Sequence, residues 1–451
     1  MTGLGIAVAV VLLLWCALLY VPFRWRPVGL YLIAGKSLAA GYVPFIAAAG
    51  VALAAMGVVV GSWWIAVPAS AAAIGALVVT VRVGSARADL SSALGTGWQD
   101  RIPSPLRRHM VRRWWAGWLR SDPEPRLRRD VAFATVPGTG RALLCDVWQP
   151  PPGVAPSGLA VVYLHGSAWY VFDKDFFTRP LFRHLAAQGH VIVDVAYRLF
   201  PETDVPGMVG DAKRAVAWVR EHTTELAVDP DRIVLAGGSA GGHLALLAAY
   251  APGEPALTPR ELARSDLRVR AVASLYGPAS VDALYWHTSQ DKVCHPDDPQ
   301  PDWTAPPPRA LVRLFGADAA RLRLQFMTYS GGTTWLVGGT PDQVPEAYAQ
   351  VSVFSYIRPG CPPTLLMHGT HDEMAPVAAT RQLQYRLEDA GVPVSAVYLP
   401  HTDHMFDLVG TRWSPAARVA FYTLERFLAV IATTGQRSMT DARTPSKAVA
   451  P

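Results

Sequence analysis

Ile233-Val-Leu-Ala-Gly-Gly-Ser-Ala-Gly-Gly-His-Leu-Ala-Leu-Leu-Ala-Ala249 is the stretch on which the reading of this 451-residue chain turns. Ile233 to Ala236 is a short apolar run of the kind that forms a buried strand, and His243 to Ala249 reads as a helix. Between them, Gly237-Gly238-Ser239-Ala240-Gly241 is a G-x-S-x-G sequence on a strand-to-helix turn. A serine on so sharp a turn projects its hydroxyl clear of the sheet. Only small residues two positions either side let strand and helix pass that closely. The N-terminus of the following helix favours negative charge near the serine. A plain glycine-rich loop can carry the same letters, but the flanking strand and helix supply the context of a nucleophile. Ser239 is the candidate.

Outward from this turn, the chain from Arg129 alternates strands and helices. Val131–Val136 and Ala142–Trp148 read as a strand pair, followed by strands at Ala160–Leu164 and Val191–Val195. Later strands are expected at Val269–Tyr276, Thr364–His368 and Ser395–Leu399. Helices are expected at Leu181–Ala187, Asp211–His222, Val377–Ala390 and Trp413–Ala432. Such alternation predicts an α/β fold with a mainly parallel sheet covered on both faces. Residues 282–358, rich in proline and aromatic side chains, do not fit the alternation and read as an insertion beside the site. The polar tail from Thr433 reads as disordered.

A serine nucleophile needs a base, a group that orients the base, and donors for the oxyanion. After the strand Thr364–His368, Gly369-Thr-His-Asp-Glu-Met-Ala-Pro376 places Asp372 in a loop at a strand's carboxyl end, with Glu373 as its neighbouring rival. After the next strand, Pro400-His-Thr-Asp-His-Met-Phe406 offers His404 as base and His401 as the rival. Oxyanion donors belong in the loop after the strand Ala160–Leu164 and just past the serine. The backbone N–H groups of Gly166, Ser167 and Ala240 are the candidates, and Trp169 is a candidate substrate contact. The four cysteines, at 16, 145, 294 and 361, have no metal-like spacing and suggest neither a disulfide framework nor a zinc site. His368 and His371 lack a further ligand set, so no metal is expected.

His165-Gly-Ser-Ala-Trp169, Asp194-Val-Ala-Tyr-Arg-Leu-Phe-Pro-Glu202, Gly237-Gly-Ser-Ala-Gly-Gly242, Gly369-Thr-His-Asp372 and His404 together resemble the motif series of the hormone-sensitive-lipase-like serine esterases. The Gly-Gly-Ser-Ala-Gly-Gly-His variant is also similar to the feruloyl-esterase-like and arylformamidase-like branches. The resemblance covers roughly residues 130–430. It implies the α/β-hydrolase fold, ester hydrolysis without a cofactor, and the roles given above to Ser239, Asp372 and His404. In that setting Tyr197, Glu202 and Asp211 are structural. The family usually has His-Gly-Gly-Gly, whereas Ser167 and Ala168 stand here at the second and third glycine positions. A Cβ at either crowds the oxyanion loop or opposes a positive φ.

The N-terminal part is of another kind. Residues 2–23 and 38–81 contain no charged side chain. A membrane-spanning helix needs roughly 20 apolar residues, so three transmembrane helices are expected at about 4–22, 38–60 and 62–81. Trp63 and Trp64 stand at the break between the last two, where tryptophan suits a membrane–water interface. Nothing basic precedes the first segment and no small-residue cleavage site follows it, so it reads as a span and not a removable signal.

Residues 82–129 carry eleven arginines against four acidic residues. With Arg24, Arg26 and Lys36 the first 129 residues reach +10, and since the whole chain is +6 the remainder is −4. The basicity therefore belongs to the membrane region and its linker and is no argument for nucleic acid. Within that linker, Arg107 to Arg120 has a helical period with Trp114, Trp115 and Trp118 on one side, as in an interfacial helix or a lid. Basic flanks mark the cytoplasmic side of a span. With three spans, Arg24, Arg26 and Lys36 share a side with Arg82 and Arg87, which puts the catalytic domain in the cytoplasm and the chain in the plasma membrane.

The sequence thus divides into an anchor (1–81), a basic linker (82–129), an α/β-hydrolase domain (130–432, with the insertion 282–358) and a tail (433–451). A small-molecule or lipid ester is the expected substrate. An amidase or arylformamidase with the same triad is the nearest alternative, and a catalytically silent membrane adaptor is the alternative from another class. Oligomeric state leaves no trace in the sequence.

Overall fold

In the computed structural model, residues 2–22, 35–111 except 108, 122–288 except 137, and 332–433 are described, with 306, 309, 312 and 313 as isolated positions. Outside them lie several of the expectations above: Trp114, Trp115 and Trp118 of the linker, Arg24 and Arg26, Cys294 with the middle of the insertion, and the tail from 434.

Eight strands form one sheet. They are β1 (Arg126–Thr135), β2 (Ala142–Gln149), β3 (Gly158–Leu164), β4 (Val191–Val195), β5 (Val228–Gly238), β6 (Ala271–Leu275), β7 (Thr364–Gly369) and β8 (Val394–Leu399). Their order is β1-β2-β4-β3-β5-β6-β7-β8. The pairs β1–β2 and β2–β4 are antiparallel and every other pair is parallel, as the alternation required. The central strands are near-continuous apolar runs because helices cover both faces. β5 sits mid-sheet, and β7 and β8 lie to one side of it. The three loops at their carboxyl ends therefore share one edge of the sheet, where open α/β sheets bind ligands.

The N-terminal bundle is built of α1 (Thr2–Leu18), α2 (Gly35–Gly41), α3 (Val43–Val59) and α4 (Trp63–Ser85). Among the described residues α4 alone is long and apolar enough to cross a membrane. α2 and α3 pass that test only as a pair bent by 76°. The uninterrupted helix expected over 38–60 is thus broken at Tyr42. Pro44, in the first turn of α3, has no amide N–H and disfavours helical backbone at Val43, so the break falls where the sequence cannot continue α2. α1 and α3, with 17 residues each, are about 25 Å long.

The helices pack through glycine. A Cβ at Gly50 would lie 2.9 Å from that of Ala73, one at Gly57 would lie 2.6 Å from the Ala66 nitrogen, and one at Gly75 would lie 2.6 Å from Cys16 Sγ. Small residues at helix crossings are how backbones approach closely in apolar surroundings. Gly5 meets Ile65 and Cys16 meets Gly75, so α1 runs parallel to α4, while α3 runs antiparallel to it. The far side of the bundle leaves large apolar side chains uncovered, among them Leu4, Val51, Val59 (86 % exposed), Trp64 (79 %) and Ile74. Its near end is buried: one apolar cluster runs from Leu19, Val43 and Val79 through Phe406 and Phe421 to Val234 in the sheet.

Candidate active site

Ser239 stands between β5 and the helix Ala240–Tyr250 with φ 53° and ψ −126°. That backbone conformation is strained for a side-chain-bearing residue, and its neighbours enforce it. A Cβ at Gly241 would lie 2.0 Å from the Leu164 carbonyl oxygen, and one at Gly237 would lie 2.5 Å from the Gly241 carbonyl carbon. Both glycines of the motif are thus needed for close approach. The Ser239 N–H donates to Leu275 O at 2.9 Å, which ties the turn to β6.

The loop after β8 brings His404 Nε2 to 2.8 Å from Ser239 Oγ. His404 Nδ1 lies 2.7 Å from Asp372 Oδ2, and Asp372 comes from the loop after β7. Asp372 Oδ1 accepts the N–H groups of Met374 and Ala375 at 2.9 and 2.8 Å. Burial by itself would raise the Asp372 pKa. The charge of His404 and hydrogen bonds from His368 and His404 outweigh it and hold the carboxyl well below the usual range. The group facing His404 is therefore an ionised carboxylate that can stabilise an imidazolium. The rivals lie elsewhere. His401 stacks obliquely on Tyr20 at 4.8 Å and has Arg82 Nη1 at 3.3 Å from its Nε2. Burial, Arg82 and Lys36 lower its pKa. Glu373 contributes its backbone N–H, at 3.1 Å, to Asp403 Oδ1.

The loop after β3 passes directly beside the serine, since a Cβ at Gly166 would lie 3.3 Å from that of Ser239. Of the two residues that replace glycine, Ala168 takes the positive φ, 47°, and Trp169 follows at 65°. The Ser167 hydroxyl is buried. It lies 2.7 Å from the Tyr197 hydroxyl and accepts the Trp169 N–H at 2.9 Å, while Tyr197 donates to His165 O at 2.7 Å. The extra Cβ and hydroxyl thus turn toward Tyr197 as part of the loop's own support. Ala240 opens the helix after Ser239, and the first N–H groups of a helix lack an intrahelical acceptor. Trp169, the candidate substrate contact, is 5 % exposed, with its ring edge-on to His243 at 5.4 Å.

Part of the insertion reaches this loop: Tyr170 donates its hydroxyl to Gly332 O at the start of the helix Gly332–Val337. Of the insertion's aromatics, Tyr285 and Trp335 are buried and Trp286 is half exposed. A cavity of about 480 Å³, lined by Arg87, Trp98, Arg107 and Tyr422, lies at the end of α4 against the last helix and away from Ser239.

Three partners of the site were not legible as such. His368 Nε2 is 3.1 Å from Asp372 Oδ2, and its Nδ1 bonds Thr380 Oγ1 at 2.8 Å. Tyr276 places its ring 4.5 Å from that of His404 and donates to Asp407 at 2.5 Å. Burial pushes the Asp407 carboxyl up to about 6. Asp403 accepts the N–H groups of both Glu373 and His404. Only its place beside the base candidate marked Asp403 in the sequence.

The chain is similar to several known proteins. The BD-FAE family model matches residues 145–303, and that of the prolyl oligopeptidase family matches 323–428. A probable carboxylic ester hydrolase of Mycobacterium tuberculosis, LipM, is 31 % identical over 297 residues, 65 % of this chain and 59 % of its own length. The esterase LipQ of the same organism is 30 % identical over 314 residues, 68 % of this chain and 65 % of its own. The chain thus spans about three fifths of the length of these two relatives. Among solved structures, esterase B of Lactobacillus rhamnosis superposes with a TM-score of 0.51 at 18 % identity, covering 72 % of this chain and 92 % of that one.

Proposed function

We propose that this chain, whose α/β-hydrolase fold and sequence set it beside named esterases, is a membrane-anchored serine hydrolase of carboxylic esters. The observation that carries the proposal is the unbroken chain from Ser239 Oγ through His404 to Asp372, with links of 2.8 and 2.7 Å. In this reading His404 takes the serine proton as Oγ attacks the ester carbonyl, and Asp372 holds the imidazole and balances its charge. The N–H groups of Gly166, Ser167 and Ala240 receive the oxyanion. The alcohol leaves with the proton held by His404, and water, activated by the same base, releases the acid.

Anchoring is supported by α4, by the glycine-mediated packing and by the uncovered large apolar side chains of the bundle. We read three spans, a linker from 82 to 129 and a hydrolase domain from 130 to 432, with the site held close to the bilayer. Esters of medium or long acyl chains are then the favoured substrates, because lipid-derived esters concentrate there. The match of residues 323–428 to the prolyl oligopeptidase model gives an amide-cleaving reading one observation in its favour.

A fluorophosphonate probe on the full chain tests the proposal. Wild type becomes labelled and Ser239→Ala does not. Asp372→Asn and His404→Ala each lose about 10³-fold or more in ester turnover, whereas His401→Ala and Glu373→Gln keep most of it. An unlabelled wild type leaves the silent-adaptor reading standing. Faster turnover of matched amides than esters decides for the amidase.

A further inference from the structure

The end of the helical bundle is built into the loops that carry the candidate acid and base. Lys36 of α2 places Nζ 3.1 Å from Asp403 Oδ2, the two side chains being 2 % and 3 % exposed, and donates to Val21 O at 3.2 Å. The other oxygen of Asp403 accepts the N–H of His404 at 2.8 Å and that of Glu373 at 3.1 Å. One carboxylate therefore joins α2 to the residue after Asp372 and to His404 itself. The same end of the bundle touches the base loop at further points. Tyr20 and Arg82 enclose His401, and Phe45 meets Trp413 edge-on at 5.0 Å. Gly41 and Gly410 meet backbone to backbone: a Cβ on Gly410 would lie 2.8 Å from Gly41 O.

A carboxylate so deeply buried requires a partner, because an uncompensated buried charge is strongly unfavourable. Lys36 supplies the counter-charge from outside the hydrolase fold. We propose that Lys36 is a positioning residue: acting through Asp403, it holds the Asp372 and His404 loops in their working relation. The bundle is then part of the active-site framework as well as an anchor. This rests on the esterase reading only for its kinetic readout. Physically, a reacting group displaced by about 1 Å costs up to about 100-fold in rate, and among the described residues of the bundle Lys36 is the one that holds the Asp403 carboxylate toward α2.

The test compares full-length wild type and Lys36→Met in nanodiscs, with turnover expressed per fluorophosphonate-titrated site so that misfolded protein is not counted. Lys36→Met lowers kcat at least about tenfold while KM stays within about twofold, the signature of misplaced catalytic groups. Hydrogen exchange of peptides covering 370–376 and 400–408 speeds up by at least about threefold, while β5 exchanges as before. If Lys36→Met does not fold, the double variant Lys36→Met/Asp403→Asn removes the unpaired charge yet still lacks the tether, and it shows the same two changes. Wild-type kcat in a folded variant overturns the proposal, as does a reduced kcat with unchanged exchange in both loops. A wild type that neither labels nor turns over esters sinks the esterase reading instead. The exchange comparison then still decides the tether.

Discussion

Ser167 and Ala168 replace two glycines in the oxyanion loop, and the contacts they make give the replacements opposite energetic signs. Ala168 adopts a φ of 47°, which costs an alanine about 1–2 kcal/mol. A glycine there forgoes that cost but is more flexible when unfolded, by about 0.4–1 kcal/mol. Ala168→Gly is therefore expected to stabilise the protein by roughly 0.5–1 kcal/mol. Ser167 accepts a backbone N–H and bonds Tyr197, all of it buried. Ser167→Gly strands those partners and is expected to cost about 1–3 kcal/mol. Thermal unfolding of the two variants checks both signs. If restoring either glycine has the same effect, the loop is not supported through Tyr197.

Between elements, a buried histidine helps pin the linker to the hydrolase fold. His184, in the helix Arg179–Ala186, has Nδ1 3.0 Å from Asp122 and Nε2 2.7 Å from Glu425 in the last helix, Pro415–Ile431. Glu425 also accepts the Val111 N–H at 3.0 Å, so the described linker residues on both sides of 112–121 converge here. Burial alone would lower the His184 pKa, but hydrogen bonds and charge from Asp122 and Glu425 outweigh it and raise it to about 9. A raised folded pKa means that the folded state holds the proton more tightly. The contribution is complete below pH 6.5 and is lost as pH climbs through 9. At about 1.36 kcal/mol per unit this amounts to about 3 kcal/mol. Melting midpoints from pH 6 to pH 10 are expected to fall more steeply in wild type than in His184→Gln. Parallel curves would show that the cluster does not hold the proton.

At the scale of the molecule, the bundle's direction sets where the hydrolase domain lies. α1 and α4 are parallel and α3 opposes them, so Tyr20, Lys36 and Arg82 gather at one end, the end that meets the base loop. Lys and Arg at the ends of spans mark the cytoplasmic face. A phosphatase reporter fused after Pro451 is accordingly expected to be inactive and a fluorescent reporter there bright. An active phosphatase reverses the orientation, and with it the pool of lipid esters within reach, but leaves the tether and the serine chemistry as argued.

The sequence by itself determined the turn at Ser239, the order of the candidate serine, acid and base, the mainly parallel sheet and the apolar N-terminal stretches. The turn and the apolar stretches are local signals, a glycine spacing and a run of uncharged residues, and the strand alternation and the candidate acid and base follow from order along the chain. The tertiary structure alone decided that Trp169 turns inward to His243 and that Ala168 bears the positive φ. It also joined Lys36 to Asp403. That pair leaves no periodic or spacing signal, because it depends on how the bundle docks against loops more than 300 residues further along the chain. Buried charges choose their partners only when such surfaces close, so the contact between the helical bundle and the candidate site was invisible until the whole chain was folded.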